Sequence, residues 1–482
     1  MSAEVAIRMD TEDFLTPESD AALEAVLDAL GRHGAAATFP LVAEKLRSWE
    51  RRGRRHLVAR LAGHAVGYHS NTHSVHPTIA EELAALPWAE ARAAFAAREA
   101  SGFAEVSAAC GVPACWTQPG GNWTAAALPV LRGWGVPMEF SEGWNSYLDF
   151  GGLPCRYGGL LHWSPPVCAP KPFLSALPAA GGAALAQVRG ALEAMPADGP
   201  PVCVVAHPTE LCTSAFWDAV NFGGGRRPAP AEWRPAPLRP AAEAAAAADA
   251  FGRYVGELRA MGVRFVTARD FAARHPDRAP GTRLGGADVR GIAACARAEA
   301  SWAVSGNLAL SAAEVFAVLC SALGDGRADR VAVRPCDGPP APCPEAACRP
   351  VDRADLRTAA RWCDRFLEEH GHVPAAIPLG RGAVAPADFL AAAARAVLDP
   401  EAERVAVLPA VVAGERYVKA PDRLHWDWPV FAAGFAPTGL WLQARLQAWT
   451  LKPAPRAAAG PGAAPWRGAP VPVTGRRRHG RE

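Results

Sequence analysis

Lysine is nearly missing from this chain. In 482 residues it occurs only as Lys45, Lys171, Lys419 and Lys452, so the 50 basic residues are almost all arginine. Against 48 acids they leave a net charge of +2, which gives no electrostatic case for a nucleic-acid partner. No run of about 18 apolar residues occurs, because Ala-rich stretches such as 242–248 are short and interrupted, so no membrane-spanning helix is expected. The first ten residues lack both a basic segment and a long apolar one, and no leader peptide is expected there. The twelve cysteines never pair as Cys-x-x-Cys. Most stand among apolar residues and read as reduced core thiols of a cytoplasmic protein. Cys336, Cys343 and Cys348 share a Pro-rich stretch, but their spacing matches no zinc motif.

What is present in quantity is hydrophobic bulk. Half the residues are hydrophobic, enough for a sizeable core, and the length exceeds one ordinary domain. In the first half, apolar runs alternate with helical stripes. Residues 4–9 form a strand-like run that ends at Asp10. Thr16-Pro17-Glu18 has the form of a helix start, with Thr16 as cap and Pro17 at the first helical position. Leu23, Val26, Leu27 and Leu30 continue it as a stripe that Gly31 and Gly34 stop. Further strands are predicted at 36–39, 63–68, 114–116, 136–138, 202–206 and 263–266, and further helices at 41–52, 88–109, 241–261 and 268–273. Repeated strand-then-helix with short connections predicts a parallel α/β fold, and the count favours a barrel.

The densest chemistry lies in Gly63-His-Ala-Val-Gly-Tyr-His-Ser-Asn-Thr-His-Ser-Val-His-Pro77. His69 and His73 stand four apart with small polar residues between them and can turn toward one point to bind a divalent metal. Histidines crowded in a polar loop need no metal by themselves, and the other strand ends decide the reading. Asp10, His69, Glu139 and His207 each follow a predicted strand directly. In a parallel barrel all strand C-termini open on one face, so these four side chains reach one rim. Core packing does not require that pattern; a metal-dependent hydrolytic site does.

Asp10-Thr-Glu-Asp13, His69-Ser-Asn-Thr-His73, Gln118-Pro-Gly-Gly121 and Ala206-His-Pro208 resemble, in order and interval, the motifs of the polysaccharide deacetylases, the NodB-homology type of carbohydrate esterase family 4. Ala37-Thr-Phe39 resembles that family's strand after the first helix, and the likeness spans about residues 3–275. It implies a distorted (β/α) barrel that removes N-acetyl or O-acetyl groups from sugars or polysaccharide. It also implies Asp10 as general base, His207 as general acid, and His69 and His73 as ligands of one divalent ion, zinc being expected. The third ligand would be Glu12 or Asp13. The oxyanion would be met by the metal and a backbone N–H near residues 114–121. Three departures stand out. The usual pair of adjacent acids is spread as Asp-Thr-Glu-Asp. The family's base-steadying arginine is matched by Thr117, and the acid that tunes the histidine would be Glu139 or Glu142. A small-amide hydrolase, or a catalytically inactive protein that binds a glycan, is the alternative. Phe216, Trp217 and Phe222 follow the presumed acid and form either a stacking wall for a sugar or the hydrophobic face of a loop helix.

Clustered Pro, Gly and Arg near residues 275–286 suggest a boundary, which divides the chain into a barrel over 1–280, a mainly helical module over 285–452 and a disordered basic tail over 453–482. The barrel is expected to fold alone. Within the module, residues 309–316 align with 383–390, and 289–296 more weakly with 356–363. This repeat bears a slight likeness to pseudomurein-binding repeats, which implies a grip on a polymeric carbohydrate; a bundle packed on the barrel is the plainer reading. Trp441, Leu442, Leu446 and Trp449 fall at helical spacing, and core packing accounts for them.

Overall fold

A computed structural model describes residues 3–141, 146–165, 174–195, 199–325, 330–343, 350–424, 426–457 and 467. Glu142, Cys168, Lys171, Cys348 and nearly all of the expected tail lie outside the described residues. Among the described residues no helix is long and apolar enough to cross a membrane.

The architecture is mixed α/β, built outward from strand β1, Glu4–Met9. Its side chains alternate as a strand's must. Val5, Ile7 and Met9 face the helices, while Ala6 points the other way with the residues of an inner cluster. On one side β1 pairs in parallel with β7, Val202–Ala206, from Val5↔Val202 to Met9↔Ala206. On the other it meets β2, Thr38–Leu41, and the short β8, Arg264–Phe265. β2 pairs with β3, Ala65–Tyr68, again in parallel. Single parallel bridges through Trp116 then lead from Tyr68 to Glu139 in β4, Met138–Phe140, and β4 pairs with β6, Leu160–Trp163. β5, Cys155–Tyr157, closes the run by antiparallel pairing with β6.

This sheet curls. One buried cluster draws Ala6, Ala65, Met138, Phe140, Leu161, Trp163, Cys203 and Val205 together from β1, β3, β4, β6 and β7. Arg8 of β1 reaches across the interior to donate to Phe140 O of β4 at 3.2 Å. No strand pairing among the described residues joins the two ends of the run. Helices Glu18–Arg32, Trp88–Cys110 and Ala241–Ala260 bury apolar stripes on the outer face. The first of these begins at Glu18 after Pro17, and Thr16 Oγ1 accepts from Ala236 N instead of capping it.

Residues 279–412 form a second core. It contains more strand than the sequence suggested. Helix Gly286–Ala296, hairpin Ala303–Ser305/Leu308–Leu310 and helix Ala312–Asp325 are followed by the same order: helix Arg353–His370, hairpin Ile377–Leu379/Gly382–Val384 and helix Pro386–Leu398. Hairpins and second helices start 74 residues apart, first helices 67 apart, because the later first helix is two turns longer. After Val412 the chain returns mostly to the first core, though Trp449 still packs in the second. Tyr417, Phe431, Leu440, Ala444, Ala448 and Leu451 are buried in the first core, and strand Lys452–Pro453 pairs with β5.

Candidate metal centre

The strand ends that point the same way carry the site. Asp10 follows β1, and its N–H continues the β1–β7 pairing by donating to Ala206 O at 3.0 Å. His69 follows β3 and donates its N–H to Leu41 O. His207 follows β7. Glu139 does not belong with them. It lies inside β4, flanked by the inward-facing Met138 and Phe140, so its own side chain takes the opposite face and pairs with His162 Nδ1 at 2.8 Å.

The loop after β3 is held in a strained form. Ser70 and His73 both have positive φ, 72° and 56°, a region that few non-glycine residues occupy and whose occupants cluster at functional sites. Ser70 Oγ accepts the His73 N–H at 2.9 Å, and buried Glu99 accepts from Tyr68 Oη and Asn71 N, each at 2.7 Å. These bonds turn His73 back toward His69, ring centroids 5.0 Å apart. His69 Nδ1 bonds Thr117 O at 2.7 Å and His73 Nδ1 bonds Ser74 Oγ at 2.8 Å. Both rings therefore present Nε2 to the same place. Glu12 Oε2 stands 3.4 Å from His69 Nε2 and 2.9 Å from His73 Nε2. Neither buried nitrogen forms a well-aligned hydrogen bond.

Glu12, His69 and His73 thus offer three ligand atoms within 4.8 Å of one another, all buried. A two-nitrogen, one-carboxylate donor set, with each imidazole steadied through its other nitrogen, fits a divalent cation such as zinc. Of the two acids the sequence left open, the structure brings up Glu12 and turns Asp13 away. Asp13 Oδ1 accepts from Leu15 N and Thr16 N, and Oδ2 from Thr209 Oγ1. His76 also turns aside, its Nδ1 on Glu81 Oε2 at 2.6 Å.

Asp10 and His207 flank this cluster. Their closest atoms, His207 Nε2 and Asp10 Oδ2, lie 3.8 Å apart, and Glu12 Oε2 is 3.9 Å from the same nitrogen. Arg8 Nη2 donates to Asp10 Oδ2 at 2.8 Å. No arginine stands in the stretch 114–121, where Thr117 lies; the arginine that holds Asp10 comes from β1, two residues before it. Parity was the available signal: an Arg at an inward position of a buried strand needs a carboxylate. Burial favours the neutral acid, yet Arg8, His69 and His207 outweigh it and hold Asp10 below its ordinary value. His207 Nδ1 bonds Glu210 Oε1 at 2.8 Å, an acid three residues along its own turn, while Glu139 is engaged with His162 and Glu142 lies outside the described residues. Burial disfavours the imidazolium, but Glu12, Glu210 and Asp10 together raise His207 to about 9. Glu12 is held well below its usual range; burial opposes this and His73 and His207 overcome it. In the stretch 114–121 the N–H groups of Ala114, Trp116 and Thr117 are committed to strand pairing.

The aromatic residues after His207 divide. Phe216 stands edge-on to His207 at 4.9 Å, Trp217 packs on His73 at 5.7 Å and on Phe14 at 4.5 Å, and Phe222 meets His76 at 5.6 Å. Trp217 and Phe222 are fully buried, so they are packing residues that brace the histidines.

No known family and no curated protein matches the sequence. Among solved structures the chain is similar to a peptidoglycan N-acetylglucosamine deacetylase, at 17% identity and a TM-score of 0.31, over 55% of this chain and 86% of that one. A family 4 carbohydrate esterase from Streptomyces lividans, in complex with acetate, gives 16% and 0.30 over 54% and 90%. A CE4 family pseudoenzyme from Bacillus anthracis gives 13% and 0.30 over 55% and 64%. At these scores the likeness carries no argument, and the geometry of the site has to.

Proposed function

We propose that this chain is a metal-dependent hydrolase that removes acetyl groups from N-acetylated or O-acetylated sugars, on a curled sheet read as a distorted (β/α) barrel of NodB type. One observation carries the reading: the buried Glu12–His69–His73 cluster stands between an arginine-held carboxylate and a carboxylate-held imidazole. Glu12, His69 and His73 would hold a divalent cation, most simply zinc. When bound it supplies polarisation of an acyl carbonyl and acidification of water.

The chain's own groups divide the proton traffic. Asp10, ionised through Arg8, accepts the proton of the attacking water; its Oδ1 makes no hydrogen bond and is open for that role. His207, fixed by Glu210 through Nδ1, turns Nε2 toward the reaction and gives its proton to the departing amine or alcohol. A base kept charged and an acid kept protonated at neutral pH are what amide cleavage needs. Burial of all five groups excludes bulk water from the competition for these protons.

The test joins metal content to acetate release. Purified protein is expected to carry about one divalent ion by elemental analysis and to release acetate from an N-acetylated sugar. The paired substitution His69→Ala/His73→Ala should abolish both while leaving the far-ultraviolet circular dichroism intact. Full metal occupancy in that double variant would sink the assignment.

A further inference from the structure

A segment far off in sequence closes one flank of the metal cluster. Trp428 stands edge-on to the His73 ring, centroids 5.6 Å apart at 84°. Its indole lies so close over Gly120 that a Cβ there would clash with Cε2, and a Cβ on Gly121 would come within 3.0 Å of Phe431 Cε2. On the other side Pro429 O accepts the Gly224 N–H at 2.7 Å, and Val430 is buried with Phe14, Val42, Trp217 and Phe222. Residues 426–432 therefore bridge two rim loops, the turn at 118–122 and the loop after β7, passing over His73. Trp426 adds an anchor on Trp123, ring centroids 4.5 Å apart. Val430 and Phe431 are 0% and 4% exposed, so the strap is part of the packed structure.

A groove that processes internal units of a polymer must run past the reacting group in both directions. Here the way past His73 is filled. Asp10, Glu12, His69, His73 and His207 are none of them more than 7% exposed, the reverse of an open trough. Trp428 itself is half-buried and borders the cluster, placed to serve as a wall for a sugar ring. Resting on the deacetylase reading above, we propose that the substrate is a free acylated sugar or the terminal unit of a chain, seated against Trp428, and that internal units of a polymer are excluded by the strap 426–432.

The test uses the full metal-loaded chain with N-acetylglucosamine and its β-1,4-linked tetramer, and maps by mass spectrometry which units of the tetramer lose acetate. Wild type is expected to act on the monosaccharide and to strip one end unit of the tetramer only. Trp428→Ala should raise KM for the monosaccharide about tenfold, as loss of an aromatic wall predicts, and should spread release to internal units. Calorimetric binding of the monosaccharide to Asp10→Asn should weaken by the same factor when Trp428→Ala is added. Release from internal units by wild type, at the rate of the end unit, overturns the inference and leaves the deacetylase reading standing. An unmoved KM in Trp428→Ala also overturns it. Release from neither sugar overturns both. The wild-type product map decides the matter even if the variant does not fold.

Discussion

Arg8 and Glu210 set the two protonation states on which the proposed chemistry depends, and each acts through a single short bond. Arg8→Gln removes the cation that opposes burial at Asp10, so the Asp10 pKa rises and the acidic limb of kcat/KM moves to higher pH. Glu210→Gln removes an anion that opposes burial at His207. Its pKa, about 9 with Glu210 in place, falls, and the alkaline limb moves to lower pH. The double variant should therefore show a bell narrowed from both sides. A bound cation lowers both values but leaves the sign of each substitution unchanged. A bell displaced as a whole would mean that the limbs belong to other groups. Glu12 and Asp13 separate in another way. Glu12→Gln should lose the metal and keep the melting temperature of the metal-free protein nearly unchanged. Asp13→Ala should keep the metal but lose about 2 kcal/mol of stability, since it strands Leu15 N, Thr16 N and the Thr209 hydroxyl. Metal loss in both would show that the first turn after β1 is too coupled to assign a single ligand. The residues themselves were largely legible in the sequence: Asp10, His69 and His207 directly follow β1, β3 and β7, and His73 was marked by its spacing four residues beyond His69. Their supporting partners were not. Arg8 and Glu210 act through the direction in which a strand or a turn aims a side chain, and Glu139 looked available only because β4 runs on to Phe140.

At the scale of elements, the loop from His69 to Pro77 depends on a helix it does not belong to. Glu99, buried in helix Trp88–Cys110, fixes Tyr68 at the end of β3 and Asn71 in the middle of the loop with one carboxylate. The positive φ at Ser70 and His73 persists because such bonds over-determine it. Glu99→Ala removes no ligand and touches no substrate, yet it should weaken metal affinity about 10- to 100-fold, the usual effect of losing outer support. Competition with a graded chelator measures this; an affinity equal to wild type would show that the loop keeps its shape unaided. Sequence pattern located the strand and the helix but could not show this link, because it joins residues 28 to 31 positions apart and depends on which way one helix is rotated. The repeat shows the opposite case. Val289, Ile292, Ala293 and Ala296 are buried like Leu356, Ala359, Ala360 and Cys363 at the same relative places, so the 3.6-residue stripe was readable in both copies. The two-residue hairpins between the helices were hidden by their brevity, with only Gly306 and Gly380 to mark the turns.

Across the whole molecule, composition suggested a boundary near residues 275–286; the second core runs from Ala279 onward, yet the chain crosses back to the first. The return segment contributes Tyr417, Phe431, Leu440 and Leu451 to the first core, donates the strap beside His73, and adds a strand to β5. Tyr157 Oη donates to Ala444 O at 2.7 Å and Thr450 Oγ1 accepts from Gly158 N at 2.7 Å, so the return is stitched by hydrogen bonds as well. Where it ends, Lys452 is buried and its Nζ contacts Asp277 at 3.0 Å and both oxygens of Glu314 at 2.9 and 2.8 Å, joining the return strand, the linker and the first turn of helix Ala312–Asp325. Four large side chains at roughly 1.5–3 kcal/mol of burial each approach the entire stability of an ordinary domain, about 5–15 kcal/mol. Residues 1–280 expressed alone are therefore expected to be insoluble, or soluble without a cooperative unfolding transition, against the expectation from linker composition. Supplying residues 281–457 as a separate chain should restore a soluble complex that binds metal. A cooperative, metal-binding 1–280 fragment would mean that the return segment only decorates the first core, and the strap would then have to be held by the second core alone.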